Sequence, residues 1–486
     1  MAEKTLSPTN RRQTASARVL KALSVFGSLQ VLLVICSVVR NKFIALWLGT
    51  AGVGLFALYN YTLDLINQLC QLNLRQSAVR EIASSQIDTC QVVGMVRRVG
   101  MMLGAIGAIA TLLLSPLLSY WTFGDYTHTV GFVILAIGVG LSAVSVGEQA
   151  ILQASNRLKL LAKATAIGSV VGTVISIALF KLFGMKSIVP SLLIFFVATA
   201  TASVYYGRKG VKASSVGFRA AFSQAGPMLR LGIYMTAGTA VTSLASYIFI
   251  AWLRSHAGES GVGIYQAGYI IVNQYVGLVF MALGIEYFPR ISRVAASGYR
   301  TQVTMRHELT IIMIIMLAAS VVFINVAPIV VKILYSVEFT DVVPYLTVAT
   351  VGTVFKAFSF IMAYVIIARG DGRTYLLTET VSATLFLVIS ISGWRAGHFL
   401  GLGIAYLIWY AFYTISVASV CRFKYGITLR RVDYSLLTAV FMAAGIQAIL
   451  ALNKQLLPSV IFSAVAVAVS GYYLYKLVLK RRTVKE

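Results

Sequence analysis

Long apolar runs alternate with short polar connections along almost the whole chain. Each run is about 20 residues long, which is the length that a helix needs to cross a hydrocarbon core of about 30 Å. Backbone polar groups in lipid must be satisfied internally, so we expect these runs to be helices. The pattern predicts fourteen spans, at residues 22–47, 54–73, 99–120, 129–152, 164–183, 188–206, 231–253, 264–285, 309–334, 345–368, 375–394, 400–421, 434–452 and 459–478.

The composition agrees with an all-α integral membrane protein. Hydrophobic residues make up 58% of the 486 positions and charged residues 12%, whereas a soluble chain is about 25% charged. The first apolar run is too long for a cleavable signal and follows a basic segment, so we expect it to remain as the first span. The four cysteines are scattered without metal-like spacing and are interpreted as packing residues.

Basic residues predict the orientation of the chain. Connections on the side of the N-terminus hold most of the 41 lysines and arginines, including the run from Arg208 to Arg230. The opposite connections hold few, namely Lys181, Lys186, Arg254, Arg395 and Lys454. By the positive-inside rule both termini are predicted to be cytoplasmic. Because the basic residues are dispersed over short loops, the net charge of +26 indicates contact with anionic membrane lipids and no nucleic acid.

An internal repeat predicts two lobes. The sequence G-V-G-L-F at 52–56 resembles G-V-G-I-Y at 261–265, about 210 residues later. We therefore expect two pseudo-symmetric lobes of six helices around a central cavity, with substrate between them and alternating access. The predicted organisation is a cytoplasmic N-terminal segment, an N-lobe, a cytoplasmic linker, a C-lobe, and a pair of C-terminal helices with a cytoplasmic tail, at 1–21, 22–206, 207–230, 231–421 and 422–486.

Cations inside the predicted spans are candidate binding residues, because charge is costly in a membrane. Lys356 lies about 16 Å into span 10, too deep for easy snorkelling. It either lines a water-filled cavity or belongs to a structural ion pair. Arg40 and Lys42 lie in the outer part of span 1, where snorkelling is the alternative. The two point about 200° apart on a helix, so only one is expected to face a cavity.

Carboxylates and polar groups inside the spans extend this set. Asp64 and Glu148 are interpreted either as sites that couple transport to H⁺ or Na⁺, or as counter-ions of Arg40, Lys42 or Lys356. Span 8 carries candidate glycan contacts, for which interhelical hydrogen bonding is the alternative role. They are Gln266, Tyr269, Asn273 and Gln274.

The sequence lacks motifs for catalysis. It has no G-x-x-x-x-G-K-[ST] loop, and its four histidines are isolated and without metal-ligand spacing. We therefore predict no enzyme, no catalytic or metal site, and no cofactor beyond a coupling ion. The outer loops reach about a dozen residues at most, which argues against a polysaccharide polymerase or ligase with a catalytic outer loop.

The chain carries several motifs in a fixed order, namely N-K-F-I-A-L-W-L-G-T-A-G-V-G (41–54), E-Y-F-P-R-I-S-R (286–293), V-G-T-V-F-K (351–356) and A-R-G-D-G-R-T-Y-L-L-T-E (368–379). Together they resemble the polysaccharide transporter, or O-antigen flippase, family of the multidrug/oligosaccharidyl-lipid/polysaccharide superfamily. The resemblance covers roughly residues 20–425. It departs from the family pattern at Thr353, where members often carry an acidic residue, and at Asn273, where some members carry one.

This resemblance implies a substrate and a setting. The substrate is an undecaprenyl-pyrophosphate-linked oligosaccharide, such as an O-antigen, enterobacterial common antigen or capsule repeat, which is moved to the periplasmic leaflet of a bacterial inner membrane. Lys42 and Lys356 carry over as cations for the pyrophosphate, and Arg40 joins them on the residue argument above. A polysaccharide polymerase and a chain-length regulator are the implied protein partners. The alternatives are a multidrug or metabolite antiporter and a lipid II flippase, both of the same superfamily.

Overall fold

The structure, a computed structural model, describes residues 8–84, 89–214 and 217–483. Helices account for nearly all of these residues, and no strand occurs in the described ranges. The first half contains seven α-helices: α1 Pro8–Gln71, α2 Leu74–Ser84, α3 Thr89–Phe123, α4 Thr129–Ala154, α5 Leu158–Phe183, α6 Ile188–Gly210 and α7 Phe218–Gln224. The second half contains seven more: α8 Gly226–Ile270, α9 Val276–Val294, α10 Gly298–Leu334, α11 Val343–Ala368, α12 Gly372–Ser419, α13 Arg431–Leu452 and α14 Leu456–Thr483.

Ten helical segments of the described chain are long and apolar enough to cross a membrane. Four of them cover parts of two predicted spans each, namely Gly27–Ile82, Leu158–Gly210, Met228–Asn273 and Gly372–Lys424. The prediction of an all-helical membrane protein is confirmed for the described residues. The number of fourteen spans and the cytoplasmic termini stay predictions.

Breaks at residues with positive φ divide these four long segments. The breaks lie at Gly49 (φ 66°), Gly184 (φ 56°), Gly258 (φ 67°) and His398 (φ 47°). Glycine adopts this region without the steric penalty of a Cβ atom, so the three breaks at glycines add little conformational strain. The chain can thus turn between two predicted spans with almost no loop.

Two of the glycines at the breaks occupy equivalent positions in the repeated sequence, and the segments that follow them pack against each other. Gly49 and Gly258 hold the same place relative to the two G-V-G motifs. Gly54, five positions after the first break, lies against the backbone of Glu259, and Gly263, five positions after the second, lies against the backbone of Thr50. The contact is reciprocal, so the two G-V-G segments pack against each other within the second unit.

The chain divides into two compact units. The first comprises Met1–Leu48 and Leu58–Ser243, and the second comprises Gly49–Ala57 and Leu244–Glu486. The short segment Gly49–Ala57, which contains the first G-V-G motif, therefore belongs to the second unit. The domain boundaries drawn from the sequence stay predictions.

A buried polar cluster attaches the C-terminal helix pair to the second unit. The amide of Gln447 on α13 donates to Asn325 Oδ1 on α10 at 2.7 Å and to Ser459 Oγ at the start of α14 at 2.6 Å. Asn325 in turn donates to Ser463 Oγ at 2.6 Å. These bonds hold α13 and α14 against α10.

Candidate functional site

Lys356 lies in the middle of α11, inside the second unit. The helix begins with a proline in its first turn and is apolar around most of its circumference, which explains why it is among the most buried helices of the unit. The Lys356 ammonium donates to Asn273 Oδ1 at 2.6 Å and to the Tyr406 hydroxyl at 3.4 Å. Both partners are neutral.

Asn273 is positioned by a π-helical segment, Ile271–Tyr275, between α8 and α9. Its Nδ2 group donates to the backbone oxygen of Tyr269 at 3.2 Å, which turns Oδ1 toward Lys356. The same Oδ1 accepts a second bond from the Tyr406 hydroxyl at 3.2 Å. Single π-helical turns within α-helices are frequent at functional sites, and this one brings a polar side chain of span 8 to the cation of span 10.

Aromatic rings complete the surroundings of the ammonium. Lys356 Nζ lies 5.2 Å from the ring centroid of Tyr410 and 6.0 Å from those of Phe280 and Tyr406. Ring faces stabilise a cation by about 0.5–2 kcal/mol each. No carboxylate forms an ion pair with Lys356 in the described part of the chain. Since buried charges are normally paired, this cation has the surroundings of a site for an anion.

The two tyrosines of α12 were not among the site residues predicted from the sequence. Tyr406 and Tyr410 are four residues apart and therefore share one face of the helix, a spacing that could have marked them. The same face continues to Tyr413, whose hydroxyl donates to Glu379 Oε1 at 2.9 Å. We name Lys356, Asn273, Tyr406 and Tyr410 the lysine site.

Arg40 and Lys42 belong to the first unit, on α1. The Arg40 guanidinium carbon lies over the ring of Phe195 on α6, 5.0 Å from its centroid, so Arg40 makes a cation–π contact within that unit. Lys42 is partly buried, two residues further along α1. The structure thus assigns these two cations to one unit and Lys356 to the other, and their role at a pyrophosphate stays a prediction.

The two predicted carboxylates differ in their surroundings. Asp64 on α1 is exposed and forms no ion pair with any described residue. Glu148 on α4 is buried and binds Arg97 on α3 through two bonds, Nε to Oε1 at 2.7 Å and Nη2 to Oε2 at 3.1 Å. Its counter-ion is therefore Arg97 and not Arg40, Lys42 or Lys356. The third predicted span, 99–120, leaves Arg97 in the preceding connection, whereas the structure places it inside α3.

The predicted glycan contacts are brought together only in part. Asn273 joins the lysine site, and Tyr269 reaches it through its backbone oxygen. Gln266 lies on α8, two turns before Asn273, and is partly buried. The side chain of Gln274 lies outside the described residues. Contact of these groups with sugar stays a prediction.

Residues 43–344, more than half of the chain, match the family described as polysaccharide biosynthesis protein. The chain belongs to the polysaccharide biosynthesis protein family. This confirms the family resemblance seen in the motifs, and the matched range contains the motif at 286–293 and most of the motif at 41–54.

Curated relatives of this family member span most of its length. The lipid III flippase of Escherichia coli (strain K12) is 24% identical over 387 residues, which are 77% of this chain and 91% of that protein. The lipid III flippase of Shigella flexneri matches to the same extent. These relatives are transporters, in agreement with the prediction that the chain is not an enzyme.

Solved structures share the fold. The lipid II flippase MurJ in an inward closed conformation superposes with a TM-score of 0.66 at 11% identity, covering 95% of this chain and 100% of MurJ. The MATE transporter VcmN of Vibrio cholerae gives 0.59 at 14% identity, covering 87% and 99%. At these identities the likeness establishes the fold alone.

Proposed function

We propose that this protein is a flippase for lipid-linked oligosaccharides, which moves an undecaprenyl-pyrophosphate-linked repeat unit from the cytoplasmic to the periplasmic leaflet of a bacterial inner membrane. The observation that carries the proposal is the lysine site: a cation inside a helical membrane unit, held by neutral oxygens and ring faces. The proposal is supported by the family and by relatives named as lipid III flippases.

The chemistry of the cargo explains why such a cation is useful. The pyrophosphate carries negative charge where the glycan joins the lipid, and this charge loses its hydration inside the membrane. An ammonium group compensates it and donates charge-assisted hydrogen bonds, which are about twice as strong as neutral ones. The lipid tail can stay in the bilayer while the head group crosses.

The lysine site is arranged so that an incoming phosphate finds a positioned donor. Asn273 Oδ1 and the Tyr406 hydroxyl orient the ammonium while no anion is bound. A phosphate oxygen that replaces Asn273 Oδ1 at Nζ exchanges a neutral acceptor for a charged one, which strengthens the bond. The ring of Tyr410, which is only partly buried and lies 5.2 Å from Nζ, then offers a stacking surface for a sugar ring beside the phosphate.

Complementation tests this proposal. The gene is introduced into mutants that each lack one lipid-linked glycan flippase, and the surface polymer that returns identifies the cargo. Among the rescued strains, Lys356→Ala should abolish polymer export and Lys356→Arg should retain most of it, because arginine keeps the charge. Lys186→Ala is the matched control, since Lys186 is exposed on the opposite unit.

Two outcomes would contradict the proposal. One is wild-type polymer from Lys356→Ala at equal abundance of the protein in the membrane. The other is rescue of none of the glycan flippase mutants together with export of organic cations, which would indicate a multidrug antiporter. Rescue of only the peptidoglycan precursor mutant would reassign the cargo to lipid II.

A further inference from the structure

A groove on the first unit is distinct from the lysine site and has no part in the function proposed above. It lies between α4 and α6 and has a volume of about 840 Å³. That volume falls within the range of about 300–1,000 Å³ that is usual for small-molecule sites. Its walls are apolar over most of their length and basic at one end.

The α6 wall of the groove is a single helical stripe. Its residues recur every three or four positions from 197 to 208, so they share one face of the helix. The stripe begins with Val197, Ala200 and Val204 and ends with Tyr205, Arg208 and Lys209. Leu141 and Val144 on α4 form the facing wall.

The dimensions of this stripe match one leaflet of a membrane. The rise from residue 197 to residue 208 is about 16 Å along a helix. Half of a hydrocarbon core of about 30 Å is about 15 Å. The groove therefore places cations at head-group depth and apolar walls at the depth of an acyl chain.

The cations at the head of the groove are available to a ligand. Arg208 and Lys209 are exposed and form no ion pair within the described residues. Glu148, which contacts α6 at Gly207, forms its ion pair with Arg97 and attracts Arg208 through space without an ion-pair contact. Tyr205 is 59% exposed, and its ring lies 5.9 Å from Lys209 Nζ, as in the aromatic belt of a membrane interface.

We propose that this groove is a specific site for an anionic glycerophospholipid, whose phosphate lies against Arg208 and Lys209 and whose acyl chain lies along α4 and α6. Charge complementarity selects the occupant: a zwitterionic lipid would fit the apolar walls equally well but would gain less from two adjacent cations. Basic pockets between transmembrane helices bind anionic head groups in this way. The predicted orientation places the site in the cytoplasmic leaflet.

Native mass spectrometry of the purified full-length protein, titrated with phosphatidylglycerol or phosphatidylcholine, tests the site. A basic residue near an anionic membrane surface is worth about fivefold in binding. The double variant Arg208→Gln, Lys209→Gln should therefore lose about 25-fold in phosphatidylglycerol affinity and keep its phosphatidylcholine affinity. Thr201 also lines the α6 wall, so Thr201→Trp, which fills the groove and leaves the charges in place, should weaken phosphatidylglycerol binding as well.

The matched control is Lys159→Gln, Lys163→Gln, which removes the same charge from the exposed start of the neighbouring helix α5. It should leave the affinity within about twofold of wild type. Equal losses in the two double variants would mean dispersed electrostatic attraction, and equal affinities of the wild type for both lipids would mean no selectivity. Either result would overturn the proposal. Displacement of phosphatidylglycerol by an equimolar isoprenoid pyrophosphate would also overturn it, because the groove would then belong to the cargo.

Discussion

Breaking the buried ion pair of the first unit should destabilise the protein strongly. In Glu148→Gln the Arg97 guanidinium keeps its position but loses its counter-charge, with only 17% of its side chain exposed to solvent. The two bonds of 2.7 and 3.1 Å place the charge centres about 4 Å apart, where an effective dielectric of about 20 gives about 4 kcal/mol. Removal of one partner of such a pair costs about 3–5 kcal/mol. We expect a loss of that size in the free energy of unfolding.

Denaturation of the purified protein in detergent measures this loss directly. Arg97→Lys should fall between the wild type and Glu148→Gln, because lysine keeps the charge but not the paired geometry. The double variant Arg97→Leu, Glu148→Met removes both charges and should recover most of the stability. A loss below about 1 kcal/mol in Glu148→Gln, the range of exposed pairs, would refute the reasoning.

Transport by the same double variant separates the two roles considered for Glu148. A structural counter-ion predicts that a stable double variant still transports, since the charges matter only to each other. A carboxylate that couples transport to an ion gradient predicts a stable but inactive protein. Stability recovered without transport would therefore show that Glu148 does more than neutralise Arg97.

Three further outcomes follow from other contacts. Gly263→Ala should destabilise the second unit by about 1–3 kcal/mol, since the added Cβ meets a facing backbone, whereas Gly445→Ala has open space and should not; thermal unfolding compares the two. Hydrogen bonds from Lys424, Thr374 and Tyr425 hold the pKa of Asp371 well below its usual value. Asp371→Asn should therefore be less stable than the wild type at pH 7. That difference should shrink as the pH falls below about 4, where the unfolded carboxylate is protonated, and vanish below the lowered pKa, as a pH series of unfolding curves would reveal. Asn325→Ala leaves buried partners unsatisfied and should cost about 1–3 kcal/mol, measured as easier proteolytic release of the C-terminal helices.

The membrane fold could be predicted because each spanning segment must be apolar and must satisfy its own backbone hydrogen bonds. This requirement shows in the sequence of each segment taken alone. The breaks between paired spans were harder to place. The sequence does not distinguish Gly49 or Gly258 from other glycines, because their positive φ is known only from the structure. Only the G-V-G motifs that follow them stood out in the sequence. The reciprocal packing of Gly54 and Gly263 required both copies of the repeat to be placed in space.

The candidate site could be predicted only in part, because contacts between distant segments are known only once the segments are placed in space. Lys356 could be singled out because a mid-span cation is costly wherever it lies. Its partners Asn273, Tyr406 and Tyr410 come from distant parts of the chain, and only helix packing and a π-helical turn bring them to it. For Glu148 the structure replaces a functional interpretation with a structural one. Its depth in a span suggested a functional carboxylate, whereas the neighbouring helix supplies Arg97 as its partner.

Translocation in reconstituted proteoliposomes is the most direct test of the proposed flippase activity. An isoprenoid pyrophosphate carrying a labelled oligosaccharide is incorporated, and the fraction that becomes accessible to a membrane-impermeant glycan-cleaving enzyme is followed over time. We expect the wild type and Lys356→Arg to move the labelled lipid across the bilayer and Lys356→Gln to move it no faster than vesicles without protein. Equal rates for the wild type and Lys356→Gln would show that the Lys356 cation has no part in translocation.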